Sequence, residues 1–314
     1  MPQLKNPADV RTLAFLFAWF VLEAGLWTLG FSWALFLPIC ALSIALGPVA
    51  HNHSHGGTWN KRWADQIHTW VVSVAYGYPV FVWVPTHLQN HHVYGNRPGD
   101  ETITWRYTDK NLTWMALVYF PVSAYYQGRL VNALLAKYWQ KNKAKLASVV
   151  SEYVVWGAVC VTALVVDWRS ALLFLGVPYF IALWSVHFFN YVQHVGCDWE
   201  GKYNQSRNFT GPYLNFWLFN NGFHTVHHLK PGAHWSSSKE RHDAIADQIH
   251  PALNHANVWV YLWKAYVASL WNGPEAEIDY TAHPGSTQKL PKAPPPRADW
   301  SLNGSGKVAP LPSV

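Results

Sequence analysis

Three short stretches of this 314-residue chain place several histidines within one or two helical turns. They are HNHSH starting at His51, HLQNHH starting at His87 and HTVHH starting at His224. A helix turns by about 100° per residue, so histidines three or four positions apart share one helix face. With His194 in NYVQHVG, these places hold 10 of the 17 histidines. Each stretch can therefore present imidazoles to a single point.

Clustered imidazoles without neighbouring thiolates indicate a transition-metal site. Nitrogen donors of this kind suit iron, zinc, copper or nickel. A zinc ion takes four ligands and a mononuclear iron site takes at most six, so nine or so imidazoles are too many for one ion. Two metal ions are the more economical interpretation. His53 lies roughly opposite its neighbours on a helix, and His187 suits a structural hydrogen bond, so both are predicted to be non-ligands.

Long apolar segments flank the histidine stretches. From Thr12 to Ala50 the only charged side chain is Glu23, and this run is about twice the ~20 residues that cross a bilayer as a helix. Glu23 itself is either functional or a packed, paired acid. The predicted spans are approximately 12–30, 32–50, 149–166 and 171–190. The polar stretches between and after these spans predict a helical cap that carries the histidines. Spans and cap together predict an all-α integral membrane protein.

The distribution of charge predicts the orientation in the membrane. Lys5 and Arg11 precede the first span, and five basic residues lie between 129 and 145, before the third. Both turns between paired spans are poor in charge, so the positive-inside tendency places both termini and all the histidine stretches in the cytoplasm. The three cysteines do not suggest a disulfide framework.

The chain is expected to form one membrane domain, 1–272, followed by a tail. Seven of the 20 prolines fall in the last 34 residues. Residues 273–314 are therefore predicted to be a disordered, proline-rich tail.

The histidine motifs resemble those of the membrane fatty acid desaturase and hydroxylase superfamily. Its members carry HxxxH, HxxHH or HxxxHH, and HxxHH on a four-span scaffold, and the resemblance covers about residues 10 to 245. The wider gap in HLQNHH also occurs in hydroxylase-like branches. NYVQHVG resembles an extra ligand segment of stearoyl-type desaturases and alkane hydroxylases. NNGFHTVHHLKPGAHW is most similar to bacterial members, so a bacterial inner membrane is the expected location.

This resemblance implies a dinuclear iron centre, without haem, that uses dioxygen to oxidise an unactivated C–H bond of a fatty acyl chain. Desaturation is the favoured outcome, with decarboxylation to a 1-alkene and acyl or alkane hydroxylation as alternatives. A free carboxylate would need a cation, for which Arg97, Arg106, Arg129 and Arg207 are available. The metal ligands implied are His51, His55, His87, His91, His92, His194, His224, His227 and His228.

Polar residues near the motifs are candidates to orient the imidazoles. By the same resemblance, Asn190 lies four residues before His194 and could make a water-mediated contact. The others are chosen only because they are close in sequence, and each could equally be a solvated cap or loop residue, which is the favoured interpretation for Asp65 and Asp100. They are Asp65, Asp100, Glu101, Asn220 and Asn221.

Electrons are expected from a separate partner, because the sequence shows no rubredoxin motif and no cytochrome b5 domain. A ferredoxin, rubredoxin or cytochrome with its reductase would serve, and basic residues on the predicted cytoplasmic side suit an acidic donor. The other expected partners are a fatty acyl substrate and membrane lipid, with no nucleic acid.

Two other functional classes explain the histidines less well. A metal transporter would bury polar ligands near the middle of its spans, whereas these motifs lie at span ends. A bis-histidine haem cytochrome needs isolated histidines that face each other from different spans, and it does not require HxxHH.

Overall fold

The chain is almost entirely helical in the computed structural model, which describes residues 1–281 and 283–294. Its α-helices in chain order are α1 Val10–Leu29, α2 Trp33–Gly56, α3 Arg62–Tyr76, α4 His92–Tyr94, α5 Thr113–Lys141, α6 Lys143–Ser170, α7 Val177–His194, α8 Pro212–Trp217, α9 His224–Leu229, α10 Ser238–Asp243, α11 Val258–Leu262 and α12 Ser269–Asn272. Wider π-helical segments are Val84–His91, Ala171–Gly176 and Trp263–Ala268. Single 3-10 turns are Pro7–Asp9, Val80–Val82, Trp235–Ser237, Ala246–Gln248, Pro251–Leu253 and Pro284–Thr287.

Three helical segments are long and apolar enough to cross a membrane. They are Pro7–Leu29, Trp33–Gly56 and Lys143–His194, and the bent pair Arg62–Tyr76 with Val80–Tyr94 becomes a fourth if it is counted as one span. These segments, together with the helical content, confirm the predicted all-α membrane class.

α1 and α2 form the predicted hairpin, with its turn at Gly30–Ser32. Gly30 has a positive φ of 85° at the end of α1, and the Ser32 hydroxyl accepts a hydrogen bond from the Ala34 amide to begin α2. α2 continues to Gly56, beyond the predicted span end at residue 50, so the first histidine motif is the last part of this long helix. His51 and His55 consequently share one helix face, as their spacing predicted.

The third and fourth predicted spans lie within one helical segment of 52 residues, Lys143–His194. The predicted DWRS turn is reduced to a break at Asp167, whose φ of −158° and ψ of 102° are not helical. Its carboxylate accepts hydrogen bonds from the Arg169 amide and the Ser170 hydroxyl. Asp167 therefore acts as a cap, and the helix resumes immediately without a separate loop.

α2 and α7 pack closely at the centre of the molecule. A Cβ at Gly47 of α2 would overlap the side chain of Val186 in α7, so only glycine allows this approach. Trp19 of α1 stacks near Tyr179 of α7, with ring centroids 6.5 Å apart, and Ala182 of α7 is fully buried. The close contact brings the histidine-bearing ends of α2 and α7 into one region.

The chain turns by 94° between α3 and the segment that carries the second histidine motif. Gly77 ends α3 with a positive φ of 88°. The amide of Val80 then donates to the Ser73 hydroxyl over 3.0 Å, and the amide of Phe81 donates to the Glu152 carboxylate over 2.9 Å. α3 has only 15 residues and is too short to cross a bilayer alone. The bend directs the second motif towards the first.

The polar C-terminal half forms a cap of short helices. Two-residue parallel strands, β1 Asn208–Phe209 and β2 Asn254–His255, tie its ends together. The described part of the predicted tail contacts this cap: the Tyr280 hydroxyl donates to the Gly196 carbonyl, and Lys289 forms a bridge with Gly201. Residues 282 and 295–314 of the predicted tail lie outside the described residues.

We predict that Gly77→Ala destabilises the fold by about 2 kcal/mol or more, because it combines an unfavourable backbone conformation with overpacking. A Cβ at this position would overlap the base of the Tyr179 side chain. Thermal or denaturant unfolding of the detergent-solubilised protein measures the change. The matched control is Gly157→Ala within α6, where a Cβ meets no atom within 4 Å. Equal stability of the two variants would contradict the importance of the bend.

Candidate metal centre

Nine histidines from four separate segments come together and fall into two groups. Within each group, the nitrogen atoms available as ligands all lie within 4.8 Å of one another. The first group is His51, His55, His87, His92 and His227, and the second is His91, His194, His224 and His228. These are the nine histidines implied by the motif resemblance.

The first group is centred on His51 at the end of α2. Its Nε2 lies 2.8 Å from Nε2 of His87, 3.0 Å from Nε2 of His227 and 3.2 Å from Nε2 of His55. His92 completes the group, and both of its ring nitrogens are buried without a hydrogen-bond partner in the described residues. An unsatisfied buried imidazole of this kind fits a role as metal ligand.

The second group is centred on His194 at the end of α7. Its Nε2 lies 3.2 Å from Nε2 of His91, 3.0 Å from Nε2 of His224 and 3.1 Å from Nε2 of His228. The HTVHH motif forms α9 and is divided between the groups, because His224 and His228 face the second and His227 faces the first. The helical spacing of this one motif therefore serves both groups.

The tautomers of His91 and His194 leave two lone pairs facing each other. Nδ1 of His91 donates to the Asp100 carboxylate over 2.8 Å, and Nδ1 of His194 donates to the Gln205 carbonyl over 3.2 Å. In neutral rings, each Nε2 is then an acceptor, and the two Nε2 atoms cannot hydrogen-bond to each other. A cation bound by both nitrogens resolves this conflict, so the residues fit a metal.

Burial keeps the three imidazoles of the HTVHH motif neutral, which is the protonation state that binds metals. It lowers the pKa of His224, His227 and His228 well below the ordinary value, and neighbouring imidazoles lower these pKa values further. Metal binding requires neutral imidazole, so the site is arranged to accept a cation without first releasing protons.

Asp100 is the best-connected acid beside the histidines. It is 2% exposed, and its carboxylate accepts from His91, from the Asn96 amide and from both the amide and hydroxyl of Thr102. Burial would raise its pKa, but the hydrogen bonds from His91 and Thr102 outweigh burial and hold the pKa at about 2. Asp100 therefore remains an acceptor that orients the His91 ring.

The other polar candidates from the sequence make no hydrogen bond to a grouped histidine among the described contacts. Asn190 donates to the Tyr119 hydroxyl, Asn220 donates to the Trp235 carbonyl, and Glu101 pairs with Arg106. The carbonyl of Asn221 accepts from Gln193, and Asp65 caps the loop after α2 through the amides of Thr58 and Trp59. These side chains shape the loops and helices around the histidines.

Other residues that orient the imidazoles were not assigned this role from the sequence, and Arg207 was considered there only as a cation for a free carboxylate. The Thr102 hydroxyl lies 2.8 Å from Nδ1 of His91, and the Asn52 side-chain oxygen lies 3.0 Å from Nδ1 of His51. The buried guanidinium of Arg207 donates to the carbonyls of Val192 and Val195 in the turn that carries His194. Only Asn52, inside its motif, could have been found from sequence position.

Two histidines near the site stay outside both groups. His53 lies 2.9 Å from the Thr58 hydroxyl and 2.8 Å from the Thr69 hydroxyl. His187 is hydrogen-bonded to the Leu183 carbonyl and lies near Gln127. Each has the structural contacts expected from its position relative to the motifs.

A mainly apolar cavity of about 290 Å³ reaches the histidines from the side of α2, α5 and α7. His51 and His87 of the first group and His91 and His224 of the second all lie in its wall. A second cavity, of about 200 Å³, reaches His55 and His227 from elsewhere. Its lining is richer in polar side chains and includes Lys5, Lys230 and Arg241. We refer to the two cavities as the apolar tunnel and the polar cleft.

The family assignment agrees with this geometry. The family model for fatty acid desaturase matches residues 11–261, which include all nine grouped histidines. This chain belongs to the fatty acid desaturase family. The resemblance seen in the motifs is thereby confirmed, and membership of the desaturase family implies oxidoreductase activity on fatty acyl chains in a membrane. No curated protein matches the chain.

We predict that His224→Ala of this desaturase-family protein lowers its metal content per chain relative to the wild type, because the second group loses one of four nitrogens. Elemental analysis of protein purified from iron-supplied cells measures the content. The control is His53→Asn, in the first motif but outside both groups. Unchanged metal content in His224→Ala would contradict the assignment of this ligand.

We expect Asp100→Asn to weaken metal retention by roughly 10–100-fold, the usual effect of losing a carboxylate that orients a ligating histidine. The rate and extent of metal loss to a competing chelator test this expectation. Asp167→Asn, at the exposed break between α6 and α7, provides the control and should retain metal as the wild type does. Equal retention by both variants would show that Asp100 does not support the site.

Proposed function

We propose that the two histidine groups hold two iron ions and that the protein desaturates a fatty acyl chain with dioxygen. The observation that supports this most directly is the apolar tunnel, whose wall contains histidines of both groups. A chain of methylenes in the tunnel would pass beside both groups. The family supports iron and acyl chemistry, and the all-imidazole donor sets are compatible with iron.

The proposed overall reaction consumes one dioxygen and two electrons from an external reductant for each double bond formed. The substrate loses two hydrogens from adjacent carbons, and dioxygen takes these together with two electrons and two protons to form two waters. Bound iron would supply dioxygen activation and hydrogen abstraction. We propose that the electrons come from a separate ferredoxin, rubredoxin or cytochrome with its reductase.

The protein's own residues contribute binding, orientation and exclusion of water. Phe120, Val131 and Val186 give the tunnel apolar walls that accommodate an acyl chain. Asp100 and the Gln205 carbonyl set the direction of His91 and His194, so the metal-facing nitrogens are in place before substrate arrives. Restricting the chain within the tunnel would bring a defined pair of carbons to the centre.

The charges around the tunnel favour desaturation over decarboxylation of a free acid. No lysine or arginine is among the described residues that line it. Arg97 donates to the carbonyls of Tyr94 and Pro291, and Arg106 pairs with Glu101. Arg129 lies against Tyr126, with its guanidinium carbon 5.0 Å from the ring centroid. Within the part of the chain that the structure describes, the tunnel lining therefore offers no Lys or Arg to a carboxylate close to the histidines.

The polar cleft supports a cytoplasmic position for the active site. Lys5, Lys230 and Arg241 line it, and basic residues beside spans favour the cytoplasmic face. The same charges would attract an acidic electron donor to a place close to His55 and His227. We propose that the donor approaches from this side while the acyl chain occupies the tunnel.

Mass spectrometry of cells fed isotopically labelled fatty acids tests the proposed reaction. We expect labelled, internally unsaturated chains in the lipids of cells that express the wild type or His53→Asn, and at least a 100-fold loss of this product with His224→Ala. Headspace gas should be collected in parallel. A hydroxylated chain, or a labelled 1-alkene one carbon shorter than the acid, would replace desaturation with one of the alternative outcomes. No labelled product from the wild type would contradict acyl oxidation.

A further inference from the structure

Three polar side chains form a patch in the wall of the apolar tunnel, away from the grouped histidines. Ser123 and Gln127 lie one turn apart on α5, and His187 faces them from α7. Nε2 of Gln127 lies 2.7 Å from the Ser123 hydroxyl and 3.2 Å from Nε2 of His187. The proposed metal chemistry leaves this patch without a role.

The tautomer of His187 follows from its hydrogen bond. Nδ1 lies 2.8 Å from the carbonyl of Leu183, which can only accept, so Nδ1 must carry the proton. No aspartate or glutamate is among the described residues that line the tunnel, and the ring of Phe120 packs against the imidazole. An uncompensated charge here would be costly, so the ring is neutral and Nε2 is an acceptor.

This tautomer determines the orientation of the Gln127 amide. Only the amide nitrogen can face an accepting Nε2, because an amide oxygen there would oppose a second lone pair. Both N–H groups of Gln127 are then used, one towards His187 and one towards Ser123. Oε1 is left without a hydrogen bond among the described residues, although Gln127 lines the tunnel.

A free acceptor in an apolar tunnel selects for a particular chemical group. A saturated hydrocarbon would cover Oε1 without satisfying it, and a carboxylate would place one acceptor against another. A hydroxyl or an amide N–H on the ligand would satisfy it. A carboxylate is thus disfavoured here as well as by the absence of a lining cation.

The patch lies at a defined distance from the metal-binding end of α7. His187 precedes His194 by seven residues, which corresponds to two helical turns or about 10 Å along the axis. A substrate group held by Gln127 would therefore be separated from the grouped histidines by a fixed length of chain. That length would select the carbons that are oxidised.

We propose that Oε1 of Gln127 binds a hydrogen-bond donor on the substrate, an O–H or N–H group, and so sets the position of oxidation. This inference rests on the proposed function in taking the tunnel as the acyl-binding site. The donor would be either a hydroxyl on the chain or an amide N–H of a carrier arm. Gln127 is thus a specificity-determining residue.

Matched probes test the donor directly in the purified, metal-loaded protein. The first pair is 1-dodecanol and its methyl ether, and the second is dodecanamide and its N,N-dimethyl derivative. Each is measured by competition with a fluorescent fatty acyl probe. We expect the wild type to bind the donor-bearing member of at least one pair roughly tenfold more tightly than its partner, and Gln127→Leu to bind both members about equally.

Two further variants keep the test decisive. Gln127→Met repeats the loss of the acceptor with an unbranched side chain in case leucine disturbs packing. Val131→Ala alters the tunnel wall outside the patch and should preserve the wild-type ratio of affinities within each probe pair.

The outcomes identify the donor. A binding preference confined to the alcohol pair indicates a hydroxyl on the chain, and one confined to the amide pair indicates a carrier arm. Equal binding of both members by the wild type, or the same ratio in Gln127→Leu, would overturn the role of Gln127. If the fluorescent acyl chain itself does not bind the wild type, the tunnel is not the acyl site, and the proposed function fails with it.

Discussion

Nine imidazoles must be held together with their metal-facing nitrogens unpaired. This constraint governs the rest of the structure, because each metal-facing nitrogen loses its hydrogen bond to water and gains none from the protein in exchange. The opposed Nε2 atoms of His91 and His194 show the problem most clearly. Bound metal offsets the cost in the loaded protein, but the scaffold must hold the rings at these positions by packing and by hydrogen bonds to Nδ1.

The scaffold meets this constraint with short, buried contacts at the ends of helices. Gly47 lets α2 and α7 approach closely, so His51 and His194 arrive in the same region. The 94° bend after α3 brings in the second motif, and the Glu152 carboxylate of α6 supports that bend through the Phe81 amide. At the end of α7, Arg207 donates to the carbonyls of Val192 and Val195, in the turn that carries His194. Long apolar helices supply rigidity, while a few polar contacts select the geometry.

The centre lies between two different environments. The apolar tunnel suits an acyl chain, and the polar cleft with its basic residues suits water, protons and an acidic donor. Such a division is useful for an oxidation that combines a hydrocarbon with electrons and protons, because the two kinds of reactant need not share one route. The Gln127 patch adds an uncharged polar contact to the tunnel, which under our proposal sets the position of oxidation along the acyl chain.

The sequence by itself determined the family, the helical membrane class and the nine histidines that the structure brings together. It could do so because helical periodicity and hydrophobic run length are local properties, so spacing within each motif already places the histidines on one face. Tertiary structure decided how the nine divide into groups of five and four, and it split HTVHH between them. It also decided that Asp100, Thr102 and Arg207 orient the rings, whereas Asn190, Asn220 and Glu101 contact other parts of the chain. The division into groups depends on how motifs more than a hundred residues apart approach one another in space. The contacts that orient the rings depend on how nearby loops fold back onto the histidines, and spacing within a motif encodes neither.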